Sequence, residues 1–172
     1  SEADMDALFK QGYSAVFLAA GSHRSGRIRT PGEDLLNVSH GIDFLRNARL
    51  GAVKSVKERV IVIGGGNVAM DCARTAIRLG AKTVNVVCLE AACSMPAHSW
   101  EVEWAREEGV VINDALATKS IINKDGKFGG IELVKVKKMS FAEGKLELET
   151  ESGTESALEA DELIVAVGQG PD

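Results

Sequence analysis

The feature that most constrains what this chain can fold into is the stretch 59–90, RVIVIGGGNVAMDCARTAIRLGAKTVNVVCLE. Residues 60–63 form an unbroken β-branched run, which suits a parallel strand covered on both faces. Gly64, Gly66 and Ala69 follow with the spacing G-x-G-x-x-A. Each position has a physical task. The first glycine permits a tight turn, the second lets the backbone approach a pyrophosphate, and the small third residue lets helix pack closely on strand. The spacing predicts a helix over 67–79 whose free N–H groups and positive dipole end face that phosphate, with Gly80 as its stop. Val68, Ala69, Cys72, Ala73, Ala76 and Ile77 recur at helical spacing and form its predicted sheet-facing side. A second strand follows. The candidate phosphate-lining residues are Gly64, Gly66, Asn67 and Val68, with Gly65 between them as a further cofactor-binding candidate, and the alternative reading is a glycine turn that holds no ligand.

The 172 residues, 45% hydrophobic and 26% charged, suffice for one α/β domain with a real core but not for two. A net charge of −5 disfavours nucleic acid and acidic membranes as partners. No window approaches the roughly 18 apolar residues of a membrane helix. The acidic start does not resemble a signal peptide, so the expected location is the cytoplasm. Three cysteines argue against a disulfide framework, and the C-x-x-x-x-C spacing of Cys88 and Cys93 is read as chance. His23, His40 and His98 show no ligand spacing, so no metal site is expected.

Along the chain, residues 1–11 read as a short helix capped by Ser1 or Asp4, and 14–20, SAVFLAA, as a buried strand. Residues 22–32, with Arg24, Arg27 and Arg29, read as a solvated loop, with contact of those arginines to a phosphate as the alternative. A helix is expected over 39–50 with Ser39 as cap. Beyond the central unit, a loop at 90–96 leads into a helix ending near Glu108, with Ser94 or Ser99 as cap. Trp100 and Trp104 share one of its faces, with core packing as the default. A short strand at 110–112 completes β-α-β-α-β, the order of a parallel sheet. Hairpins follow: 116–122, a turn at 123–126, then 131–139 with a slip of apolar phase that suggests a bulge. A turn at Glu143-Gly144 leads to 145–150, and 163–167 is a last buried strand before Gly168-Gln169-Gly170-Pro171. The expected fold class is α/β: a Rossmann-like, three-layer nucleotide-binding domain with an antiparallel β-meander insertion.

The ordered series AVFLAAG (15–21), TPGED (30–34), IVIGGGNVAMDCARTAIRLGA, MPA (95–97), AREEGV (105–110) and DELIVAVGQGPD resembles the glutamate synthase small (beta) subunit family and its flavin-containing relatives. The resemblance runs through nearly the whole chain. It implies a nicotinamide-nucleotide domain inserted into an FAD domain, whose own fingerprints are absent from this sequence. On that reading 1–58 is the end of the flavin domain and the linker, 59–167 the NAD(P)H-binding domain, and 168–172 the return crossover. The strand at 14–20 would lack its native neighbours. The resemblance further implies FAD and iron–sulfur clusters in the parent protein, and an FAD domain and an iron–sulfur domain or subunit as partners.

The end of the second strand decides between nucleotides, because an acidic side chain there accepts hydrogen bonds from the ribose hydroxyls, whereas a 2′-phosphate needs arginine. The family pattern has an aromatic-Arg-Arg triplet, but this chain has Cys88-Leu89-Glu90 and no Lys or Arg from Thr83 through Glu103. Glu90 lies 26 positions after Gly64, at the offset where the family's triplet ends. The expectation is NADH over NADPH, with Glu90 at the adenosine ribose and Gly168 and Gln169 at the nicotinamide end.

The function expected is delivery of hydride from NAD(P)H to FAD within a flavin-dependent oxidoreductase, with no acid, base or nucleophile nominated. This stretch alone, lacking the flavin site, is expected to be inactive. The alternative is a non-catalytic NAD(P)-sensing module. An S-adenosylmethionine-dependent methyltransferase is disfavoured by the meander, and a short-chain dehydrogenase by Phe17 standing where Tyr13 would require lysine.

Overall fold

A computed structural model describes residues 4–19, 21–142 and 145–171. Ser1, Ala20, the Glu143-Gly144 turn and Asp172 lie outside the described residues.

Five parallel strands make the central sheet, in the order β2 (Val38–His40), β10 (Glu162–Val165), β3 (Arg59–Ile63), β4 (Thr83–Val87), β5 (Val111–Asn113). Its strands alternate their side chains between two cores, as the period of two dictates. Val60, Val62, Val84, Val86 and Ile164 face a helical layer of α2 (Gly41–Arg49), α3 (Asn67–Arg78) and α4 (Ser99–Glu107). Ile61, Ile63, Val87, Leu163 and Val165 face the other way, against Ile121, Phe128, Ile131 and Leu133. These belong to an antiparallel layer of β6 (Leu116–Lys124), β7 (Lys127–Ala142), β8 (Lys145–Thr150) and β9 (Ser156–Glu159). The fold is therefore three-layered, with helices on one face of the parallel sheet and the meander on the other. The fully buried Val, Leu and Ile side chains on the two faces each contribute roughly 1.5–3 kcal/mol of transfer free energy.

Strand β7 is long enough to be shared: β6 and β9 flank its first part and β8 pairs its second. The phase slip in its sequence coincides with irregular register. Thr118 opposes Leu133 while Ser120 opposes Glu132, and Val136 opposes Thr150 while Lys138 opposes Glu149. The extra residue is Lys119 of β6 in the first case and Lys137 of β7 in the second, and each re-aims its own strand.

Several expectations are corrected. Residues 14–19 form no strand, and Phe17 is 92% exposed, because no strand among the described residues pairs with them. Apolar composition alone cannot satisfy a strand's backbone groups. The first helix, α1, is Met5–Lys10, capped by Asp4, whose Oδ1 accepts from the Asp6 N–H at 3.0 Å. Ser39 lies inside β2 and donates from its hydroxyl to the Leu163 carbonyl at 3.5 Å, so His40 is the N-cap of α2. His98 caps α4, not Ser94 or Ser99. Within the 22–32 loop, β1 (Arg24–Ser25) pairs antiparallel with β11 (Gln169–Gly170).

Trp100 and Trp104 share a face of α4 as expected, but that face is turned outward: they are 48% and 45% exposed. Trp100 stacks on the His98 ring with centroids 4.3 Å apart, and the Arg74 guanidinium lies 5.3 Å from the Trp104 ring centre. Val102 and Ala105 supply the buried side of the helix. Cation–π contact and stacking satisfy these rings at the surface without burial.

Candidate functional site

At the C-terminal ends of the parallel strands lies a cleft of about 710 Å³. This is where open α/β sheets place ligands. All eight residues singled out in the sequence, Gly64, Gly65, Gly66, Asn67, Val68, Glu90, Gly168 and Gln169, line it.

The glycine turn has the division of labour that its spacing predicts. Gly64 has φ 141°, and a Cβ there would stand 2.9 Å from the Ala166 carbonyl carbon and closer still to its oxygen. The same Cβ would be 3.4 Å from the Ala69 side chain, which is fully buried. Gly64 thus lets β3, β10 and α3 converge. Gly66 is different: its backbone is extended, with φ −94° and ψ 176°, and a Cβ there would meet nothing within 4 Å. The α3 N-terminus has no side-chain cap, so its first N–H groups are open to a ligand's acceptor. A pyrophosphate fits this cradle.

Asn67 braces the turn, its Oδ1 accepting from the His98 N–H at 2.9 Å, and the Gly65 carbonyl accepts from the Ala97 N–H at 3.0 Å. These two bonds dock the MPA segment onto the glycine turn. The backbone of Glu90 is equally fixed, its carbonyl accepting from the Ala115 N–H at 2.8 Å. Its carboxylate lies over the turn: Oε2 would be 2.6 Å from a Cβ on Gly65. Cys88 begins this segment and is buried; burial, then Glu90 and Asp114, push its thiol up to about 12, so it is no nucleophile at neutral pH. All three cysteines are free.

The sequence reading missed part of the wall. Arg27, Ile28 and Thr30 enter from the segment beside β1, because the Gly26 N–H donates to the Gly168 carbonyl at 2.8 Å and brings that loop to the rim. Leu146 and Leu148 enter from β8, where alternation with charge was legible but the partner surface was not. Among the described lining residues the charged side chains are Arg27 and Glu90.

A family model for the pyridine nucleotide-disulphide oxidoreductases matches residues 2–172. The chain belongs to this family. As an oxidoreductase-family chain it is 39% identical over 171 residues to the NADPH-Fe(3+) oxidoreductase subunit beta of Geobacter sulfurreducens, covering 95% of this chain and 25% of that protein. It is 37% identical to the NADP(+)-dependent formate dehydrogenase subunit beta of Moorella thermoacetica, over 98% and 24% of the two chains. It is 35% identical to the glutamate synthase [NADPH] small chain of Escherichia coli, over 92% and 36%. The chain thus spans about a quarter to a third of these relatives. Among solved structures, Mycobacterium tuberculosis FprA in complex with NADPH matches with a TM-score of 0.72 at 18% identity, covering 95% of this chain and 52% of that one. Thioredoxin reductase from T. acidophilum matches with a TM-score of 0.60 at 16% identity, over 84% and 41%. At such identities the structures establish a shared fold.

Proposed function

We propose that this chain is the NAD(P)H-binding domain of a flavoprotein oxidoreductase, holding the dinucleotide so that its nicotinamide delivers hydride to an FAD carried outside these residues. The observation that carries the reading is the contrast between Gly64, closed against Ala166, and Gly66, open to the cleft. A glycine turn serving packing alone needs the first and not the second. Gly66, Asn67 and Val68 line the pyrophosphate, Gly65 and Glu90 stand at the adenosine ribose, and Gly168 and Gln169 face the nicotinamide end. The chain's own work is binding and orientation, since the hydride chemistry belongs to the cofactors.

The β1/β11 ribbon supports residues 168–172 as the return crossover, because it sets the way in and the way out of the domain side by side. Residues 1–58 divide: β2 and α2 pack with the central sheet and its helices, so the nucleotide domain as packed starts before residue 59. The relatives' greater length supports an FAD domain and an iron–sulfur domain or subunit as partners. No helix among the described residues is long and apolar enough to cross a membrane. A cytoplasmic site of action is supported by the three free cysteines, which suit a reducing compartment.

Two observations pull the nucleotide choice apart. Glu90 and the lack of Lys or Arg from Thr83 through Glu103 favour NADH, as expected from the sequence. The names of the three relatives favour NADPH. We assign the discrimination at this site to Glu90: whichever nucleotide binds tighter overall, its carboxylate favours the unphosphorylated ribose. Titration of the wild-type chain with both nucleotides, and of Glu90→Ala beside it, tests this. A sensing module without flavin would share the binding and lack the hydride step, so reduction of FAD in the full-length protein separates it from the proposal.

A further inference from the structure

One wall of the nucleotide cleft is apolar, and the phosphate and ribose assignments give it nothing to bind. Leu146 and Leu148 supply it from β8, and they are 43% and 40% exposed. Among the described strands β8 pairs with β7 alone, so the second part of β7 and β8 form a two-stranded ribbon. Successive side chains alternate between the faces of such a ribbon, and residues paired across it share a face. Glu147 and Glu149 therefore point away from the leucines, and Lys137 donates to the Glu149 carboxylate at 2.5 Å. Met139, paired with Leu148, adds to the apolar face. A two-stranded ribbon is marginal in water by itself, and an open face of this kind gains from being covered.

The root of the ribbon decides which part of a dinucleotide can cover it. Val136 begins the paired stretch and donates its N–H to the Ala115 carbonyl at 2.9 Å, while the Ala115 N–H donates to the Glu90 carbonyl at 2.8 Å. Leu148 is two residues from Thr150, the partner of Val136. The leucines thus rise from the backbone that holds Glu90, the residue placed above at the adenosine ribose. Gly168 and Gln169, at the nicotinamide end, follow β10, and β3 separates β10 from the β4 strand that leads to Glu90. Leu89 and Pro96 extend the apolar lining at the Glu90 end, where the Ala97 N–H docks on the Gly65 carbonyl. A pyrophosphate or a hydroxylated ribose is poor cover for such a surface. A flat ring system attached to that ribose is good cover, because it loses apolar area to water on both of its faces.

We infer that Leu146 and Leu148 form the adenine seat of the cleft, with the ring packed on the apolar face of the β7–β8 ribbon. The inference rests on the nucleotide reading given above and adds to it the residues that hold the base. The leucines offer contact area and no hydrogen bond, so their contribution is affinity for the adenosine half of either nucleotide. The choice between NADH and NADPH stays with Glu90.

The test is titration of the 172-residue chain, methyl-labelled at leucine, with NADH and with NADPH, reading affinity by calorimetry and contacts by intermolecular nuclear Overhauser effects. Contacts are expected from the adenine H2 and H8 protons to the methyl groups of Leu146 and Leu148. Leu146→Ala/Leu148→Ala should bind the same nucleotide about fivefold more weakly or worse, while Glu147→Ala, on the other face of the ribbon, should match the wild type. All three positions are exposed, and retention of the remaining methyl spectrum verifies that the variants fold. Adenine contacts absent from these leucines, nicotinamide contacts in their place, or equal affinity in the folded double variant overturns the inference and leaves nucleotide binding standing. Failure of the wild type to bind either nucleotide overturns both.

Discussion

The α-carbon of Gly64 faces the peptide carbonyl of Ala166 so closely that a Cβ built on it would stand 2.9 Å from the carbonyl carbon and nearer still to the oxygen. Gly66, two residues on, has open space where its Cβ would be. One glycine therefore serves the fold and the other the cleft, and substitution separates them. Gly64→Ala is expected to destabilise by about 2–4 kcal/mol, from strain at positive φ and displacement of the strand crossing. Gly66→Ala should cost less than about 1 kcal/mol, since its backbone is extended and it only caps α3. Urea unfolding of the two variants checks this ordering.

Glu90 is expected to act on the difference between nucleotides. Glu90→Ala should weaken NADH about tenfold, by loss of charge-assisted hydrogen bonds to the ribose, and leave NADPH unchanged or tighter. Leu89→Arg/Glu90→Arg should gain NADPH affinity. Calorimetry reads both, and equal losses for the two nucleotides would remove Glu90 from the ribose.

A pH dependence follows from Glu108. Its carboxylate accepts from Arg78 at 2.6 and 3.0 Å and from Arg74 at 2.8 Å. Arg78, and after it Arg74, hold it below its ordinary value near 4.5 against the effect of burial. A carboxyl depressed in the folded state contributes stability that is present above its unfolded pKa and lost as pH falls through the folded one. Glu108→Gln should therefore cost about 1 kcal/mol at neutral pH, since the pairs are partly open to solvent, and nothing near pH 2. Unfolding of both proteins across that range tests the sign.

The N-terminal segment is expected to be dispensable for stability. Helix α1 has no buried residue, and Phe9, Tyr13, Phe17 and Leu18 are exposed. Deleting residues 1–21 should move the thermal midpoint by less than about 2 °C and reduce self-association, measured by calorimetry and sedimentation.

What could be read from the sequence follows from where the physics is local. Residues 60–69 carried a strand, a turn and a helix start because each position's task depends on its immediate neighbours. The helix face was nearly right, with Met70 buried in addition and Val68 and Ile77 at its margin. Strand β2 was not legible: three residues, two of them polar, leave no alternation to detect, and its existence depends on Leu163–Val165 more than a hundred positions away. The ribbon of Arg24 with Gly170 is still shorter, and it is what carries Arg27 to the cleft. Residues 14–19 were misread because hydrophobicity reports a wish for burial, not a partner. The two tryptophans were misplaced because Arg74, on a different helix, completes the surroundings of Trp104, and the His98 ring stacks on Trp100. The eight cleft residues named from the sequence include Gly168 and Gln169, far along the chain, whereas Arg27, Thr30, Leu146 and Leu148, carried in by pairing between distant segments, were not named for it.

The most direct test of the nucleotide assignment is calorimetric titration of the wild-type chain and Gly66→Val with NADH and with NADPH. The account predicts one-to-one binding of at least one nucleotide by the wild type and a loss of about tenfold or more in the variant, with its fold retained, because the added side chain fills the pyrophosphate cradle. Failure of both nucleotides to bind, or equal binding by the folded variant, would contradict it.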